Sequence, residues 1–186
     1  MKQILVLGGG AAGSVAAIAA AEESRGRAQV ILLERNPRIG KKLLATGNGR
    51  CNLDNDRIRL EDYFTSDRDT LGQMLEAIGS HGVTNWFADH GLLSQPDEAG
   101  RVYPYSNQAA DVLNLLLYWL EKLGVQVRTG CAVAAVEPGK VTLEGGEVLK
   151  ADAVICAFGG SAGPQFGTDG SGILIMRQFG CKATAL

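Results

Sequence analysis

Apolar positions fall into short continuous runs that end at glycines, the pattern of buried parallel strands rather than half-exposed ones. Gln3–Leu7 (QILVL) is such a run and stops at Gly8. The stretch AAGSVAAIAAAEESRG predicts a helix of small residues ending near Gly26, and Gln29–Glu34 (QVILLE) predicts a second buried strand. Strand, glycine turn, helix and strand within about thirty residues make a βαβ unit. The chain thus reads as α/β with a parallel sheet.

The middle is less regular. Asp67–Ser80 predicts a helix, and Val83–His90 a short helical or irregular segment. The stretch QPDEAGRVYPYSNQ is turn-rich, with Pro96, Gly100 and Pro104 as breakers. Residues 57–107 together read as an irregular helical insertion. Ala109–Leu123 predicts a strong helix stopped by Gly124. Its apolar residues cover more than one face, so it is either deeply buried or meets a partner outside these residues. VQVRTG, AVAAVE, KVTLE and EVLKA then predict short strands, including a small antiparallel meander with turns at Pro138-Gly139 and Gly145-Gly146. DAVICAFGG predicts one more buried strand, and GTDGSGILIMRQFG opens at glycines and continues as a helix to Gly180.

Bulk composition narrows the class. The 186 residues are 46% hydrophobic and 20% charged, with a net charge of -2, which fits a globular domain able to bury a core. That balance argues against a general nucleic-acid binder, so no nucleic-acid partner is expected. The 25 glycines exceed the usual share of about 7% and cluster in short runs, pointing to sites built from backbone. The four cysteines, Cys51, Cys131, Cys156 and Cys181, have no CxxC pair and no metal-ligand spacing. No metal or disulfide is expected, and a reducing cytoplasm is the default location. The runs around Cys131 and Cys156 predict buried free thiols. The uncharged stretch Gln3–Ala21 imitates a signal peptide, but three consecutive glycines weaken it as a hydrophobic helix, and no membrane partner is expected.

Chemistry concentrates at the first turn. Gly8, Gly10 and Gly13 form GxGxxG directly after a strand and at the opening of a helix, the context the motif requires. Gly8 permits the tight turn, Gly10 lets a pyrophosphate approach the backbone, and Gly13 lets helix and strand pack closely. The helix start supplies amides and positive dipole to phosphates. Glu34 stands 21 residues beyond Gly13, where an acid accepts hydrogen bonds from an adenosine ribose. The alternative is an ordinary surface charge at a strand end. A carboxylate there repels a 2′-phosphate, which disfavours NADP and leaves FAD and NAD. Three later features favour FAD: strands and a meander replacing a plain helical crossover, Val133 placed to present backbone to adenine, and the glycine pair Gly159-Gly160 ending a further strand.

Four stretches, GGGAAG, GKKLLATGNGRCNLDN, GRVYPYSNQAADV and AFGGSAGPQFGTDGSG, resemble the HI0933-like flavoproteins, and in the same order. The TGNGRCN loop is far more specific than the GxGxxG. The resemblance implies a Rossmann-like FAD/NAD(P)-binding domain of the glutathione-reductase type in a bacterial FAD-dependent oxidoreductase. It places Gly8, Gly10, Ala11, Ala12 and Gly13 on the pyrophosphate, Glu34 on the ribose, Arg35 beside the adenosine and Lys42 near the phosphates. Gly47, Asn48, Gly49, Arg50, Cys51 and Asn52 would line the ribityl and ring portion, with Val133 on adenine and Gly159-Gly160 on the pyrophosphate side. A cation such as Arg50 there would favour a flavin's anionic reduced form.

Several residues have a plainer alternative. Arg50 pairs with Asp54 or Asp56 on the surface, Cys51 is structural packing, and Asp169 is an N-cap rather than a base. No catalytic residue is assigned, and His81 and His90 carry no acid or nucleophile motif. The family pattern runs on beyond Leu186, so the chain reads as an N-terminal fragment. A remaining C-terminal half would pack on it and complete the FAD site. Small organic substrates such as amines or unsaturated ketones are implied, with NAD(P)H as a possible electron donor. The alternatives are a non-catalytic nucleotide-binding fragment and a flavoenzyme acting on tRNA.

Overall fold

The computed structural model describes residues 1–79 and 81–182. Before the long helix run strands β1 (Lys2–Leu7), β2 (Ala28–Leu33), β3 (Asp54–Asn55), β4 (Ser94–Pro96) and β5 (Arg101–Pro104). After it come β6 (Gln126–Arg128), β7 (Val133–Glu137), β8 (Lys140–Leu143), β9 (Val148–Lys150) and β10 (Ala153–Cys156). The helices are α1 (Ala11–Ser24), α2 (Arg68–Ile78), α3 (Gly82–Asp89), α4 (Ala109–Lys122) and α5 (Ser171–Gln178). They divide into two compact units: Met1–Leu43 with the described residues from Leu116 on, and Leu44–Leu115. The segment 57–107, expected as an insertion, lies in the second unit.

The first unit is built on a parallel sheet of order β10-β1-β2-β6. Its two central strands, β1 and β2, are buried along most of their length because the sheet is covered on both faces there, whereas the edge strands β6 and β10 are not. Successive side chains alternate, so Leu5, Leu7, Ile31 and Leu33 share one face. They pack into a cluster with Val136, Val141 and Leu143 of the meander and Ile175 of α5. Helix α1 lies along β1 and β2, burying Ala17 and Ile18 completely. Arg25 turns left-handed (φ 47°) and closes α1 just before Gly26. The expected meander is the antiparallel sheet β7-β8-β9.

The apolar runs overstate burial for the thiols. Cys131 is only partly buried, and Cys156 is exposed, because β10 is an edge strand rather than a central one. Helix α4 also resolves into faces. Ala109, Val112, Leu116 and Leu120 form one buried stripe, while Leu117 and Tyr118 stay exposed and the Lys122 ammonium lies 4.0 Å from the Trp119 ring centroid.

The second unit holds the antiparallel sheet β3-β5-β4. Strands β4 and β5 lie in the stretch read as turns, because Pro96 and Pro104 end strands instead of interrupting them. Asp67 caps α2 by accepting the Thr70 amide at 3.0 Å, and Gly79 (φ 75°) ends it. The predicted continuation to Ser80 falls outside the described residues.

Candidate dinucleotide-binding site

The turn from β1 into α1 is shaped by close backbone approach. Gly8 adopts φ 112°, its amide donates to Leu33 O at 2.8 Å, and a Cβ on it would collide with the Ala157 carbonyl. A Cβ on Gly13 would run into the Gly8 carbonyl, so α1 seats directly on the turn. Gly10, the N-cap of α1, has nothing within 4 Å of where a Cβ would stand. No side chain caps α1 and its first turn carries no acid, so its leading amides and positive end face this open side.

Glu34 is buried at 8% exposure and its carboxylate is held by three N–H groups. Oε2 accepts the Gly9 amide at 2.7 Å. Oε1 accepts the Asn36 amide and the Asn36 side-chain Nδ2, both at 2.7 Å. A carboxylate has about four acceptor directions, so one remains for a ligand hydroxyl. The same residue pairs through its backbone, with Glu34 N donating to Arg128 O at 2.9 Å and Cys131 N to Glu34 O at 2.8 Å. Those bonds bring the approach to Val133, the first residue of β7, up to Glu34.

Asn36, which the motifs did not single out, ties this corner together. Its Oδ1 accepts Lys41 Nζ at 3.3 Å and its carbonyl accepts the Gly130 amide at 3.0 Å. A Cβ on Gly167 would press on the Asn36 amide group. The only local signal is an amide two residues after the acid, bearing both donor and acceptor.

Arg35 reaches the start of α5. Its guanidinium pairs with Asp169 at 2.7 Å and donates to Ser171 Oγ at 3.4 Å. The hydrogen bond from Ser171, then that from Arg35, hold the Asp169 carboxyl below the usual range. Asp169 also accepts the Ser171 amide at 3.0 Å, although Gly170 occupies the N-cap position. Lys42 Nζ donates to Ala162 O at 3.1 Å and lies beside Gly159. The first unit therefore contains Gly8 to Gly13, Glu34, Arg35, Lys42, Val133, Gly159 and Gly160.

The TGNGRCN loop belongs to the second unit from Leu44 on. Gly47 (φ 56°), Asn48 (φ 57°), Gly49 (φ 83°) and Cys51 (φ 61°) are all left-handed. For Asn48 and Cys51 this backbone is strained, a state that persists only where surroundings impose it. Cys51 N donates to Thr46 O at 3.0 Å, and Arg50 N to Gly47 O at 3.3 Å. The Asn52 amide, with its nitrogen turned inward, donates to Val102 O at 3.2 Å and Asp54 O at 2.8 Å. Arg50 does not pair with Asp54 or Asp56. Its guanidinium carbon lies over the Tyr103 ring, 4.2 Å from the centroid, and its Nη2 donates to the Tyr103 hydroxyl at 3.3 Å. Burial pushes the Cys51 thiol up, which keeps it protonated and weakly nucleophilic. His90 stacks on Trp86 at 3.8 Å between ring centroids.

Parallel sheet, glycine turn and meander define a Rossmann-type α/β domain. The chain belongs to the HI0933-like protein Rossmann domain family, which matches residues 2–186. It is similar to the 3-dehydro-bile acid delta(4,6)-reductase of Clostridium scindens, 43% identical over 97% of this chain and 44% of that protein. It is also similar to the ribosomal RNA dihydrouridine synthase of Escherichia coli, 25% identical over 95% of this chain and 44% of that one. The chain thus spans less than half the length of these relatives. A solved structure of adenosine-5-phosphosulfate reductase in complex with sulfite shares the fold, with TM-score 0.64 and 21% identity over 94% of this chain and 35% of that one. No helix among the described residues is long and apolar enough to cross a membrane.

Proposed function

We propose that the chain is the FAD-binding part of a cytoplasmic flavin-dependent oxidoreductase that acts on a small organic substrate. The observation that carries this is the open, uncapped start of α1 beside a buried carboxylate with one acceptor direction left. The donor set fits FAD: main-chain amides and Lys42 for a pyrophosphate, Glu34 for a ribose hydroxyl. When bound, FAD supplies the hydride transfer, and the protein supplies binding, orientation and electrostatics. Glu34 orients the ribose and excludes a 2′-phosphate by charge. Within the second unit, the TGNGRCN loop offers backbone groups and the Arg50 guanidinium as donors suited to a flavin.

The bile-acid reductase relative favours an unsaturated ketone as the substrate class, with NAD(P)H as electron donor. An RNA substrate is the second reading, on the strength of the dihydrouridine synthase relative. Charge speaks against it within this chain: Arg57, Arg59 and Arg101 are each ion-paired, to Asp56, Asp62 and Asp97. Salt-dependent retention of RNA would favour that second reading.

The test is the visible spectrum of the purified protein, before and after adding FAD. Absorption near ~450 nm that survives gel filtration is the expected result, the cofactor's own signature. A colourless protein that takes up no FAD refutes the proposal.

A further inference from the structure

A buried aromatic side chain braces the TGNGRCN loop within the second unit. Tyr103, on β5, is only 4% exposed. Its ring lies against Gly47, where a Cβ would come within 3.0 Å of ring carbon Cε1. Arg50 covers the same ring at 4.2 Å, and its Nη2 donates to the Tyr103 hydroxyl at 3.3 Å. Arg50 Nε donates to the Gly47 carbonyl at 3.2 Å. One aromatic ring therefore touches both the left-handed glycine and the cation of the loop.

A guanidinium carries five N–H donors in a rigid plane. Here two hydrogen bonds, to the Gly47 carbonyl and the Tyr103 hydroxyl, hold one edge of that plane while the ring lies beneath its centre. The remaining N–H groups are held in a set direction instead of sweeping through rotamers. A fixed cation stabilises negative charge more than a swivelling one, because it needs no reorganisation when that charge develops.

We propose that Tyr103 is the positioning residue for Arg50, aiming its remaining N–H edge at the anionic part of a bound flavin. The inference rests on the proposed flavin-binding role of the loop and adds a residue outside the loop. Tyr103 acts through Arg50 and has no separate route to the cofactor.

The experiment measures the midpoint potential of FAD in the loaded protein, by equilibration with a reference dye. Four proteins are compared: wild type, R50A, Y103F and R50A/Y103F. Y103F keeps the packed ring and removes only the hydroxyl. R50A lowers the potential, Y103F lowers it by a smaller amount, and the double variant matches R50A. A Y103F potential equal to wild type while R50A falls overturns the positioning role. So does a Y103F shift that persists undiminished in the R50A background, since coupled residues must be non-additive. If R50A retains FAD at an unchanged potential, the flavin assignment of the loop fails and this inference fails with it.

Discussion

The Glu34 carboxylate accepts N–H groups from Gly9 and Asn36, so its removal leaves donors unpaired in a buried corner. Each such loss costs about 1–3 kcal/mol. E34A is expected to lower ligand-free stability by that order in urea unfolding and to release FAD on gel filtration; unchanged FAD retention would sink the ribose assignment. N36A should weaken FAD retention too, although its role is to hold Glu34 in place. The Arg35–Asp169 pair has a pH signature. Asp169 is depressed in the folded state, so its contribution is present above its ordinary value of 3.8 and is lost as pH falls below it. The pair is well exposed, which limits it to at most about 1 kcal/mol, screened by salt. D169N should therefore change stability little at pH 7 and remove that part of the acid-limb slope in pH-dependent melts. The glycines and Glu34 were legible because their spacing is local. Asn36 and Tyr103 were not, since Asn36 works through Gly130 and Gly167, and Tyr103 through Gly47 and Arg50.

Among the elements, β1, α1 and β2 could be read directly, since continuous apolar runs and a glycine turn sit within one βαβ unit. The strands β4 and β5 could not, because prolines that mark strand ends look like turn breakers until the pairing is known. Nor does an apolar run reveal whether its strand is central or at an edge. That distinction governs thiol chemistry. Cys156 on the edge strand and Cys181 line a cavity of about 260 Å³ and are exposed, whereas Cys51 is buried at 6%. A thiol reagent under native conditions should modify Cys156 and Cys181 well before Cys51, with Cys51 reacting only on unfolding. Peptide mass spectrometry of a timed reaction checks the order. The central strands carry the core energy: Leu32 is fully buried, and L32A should cost about 2–5 kcal/mol in denaturant unfolding.

At the scale of the whole molecule, FAD binding should stabilise the folded chain by mass action. The gain is about 2.7 kcal/mol at a hundredfold excess over Kd, readable as a rise in melting temperature. The β1 strand has neighbours of very different sequence separation. It pairs with β2 within the first βαβ unit, yet its other partner is β10, and the Gln3 amide donates to the Asp152 carboxylate across 149 residues. The collision that a Gly8 side chain would make is likewise with Ala157. Synthesis at roughly 5–20 residues per second separates those partners by about 7 to 30 seconds. A nascent chain therefore exposes the glycine turn early with one side of its support missing, and the cradle is complete only once the ribosome has passed β10 and Ala157.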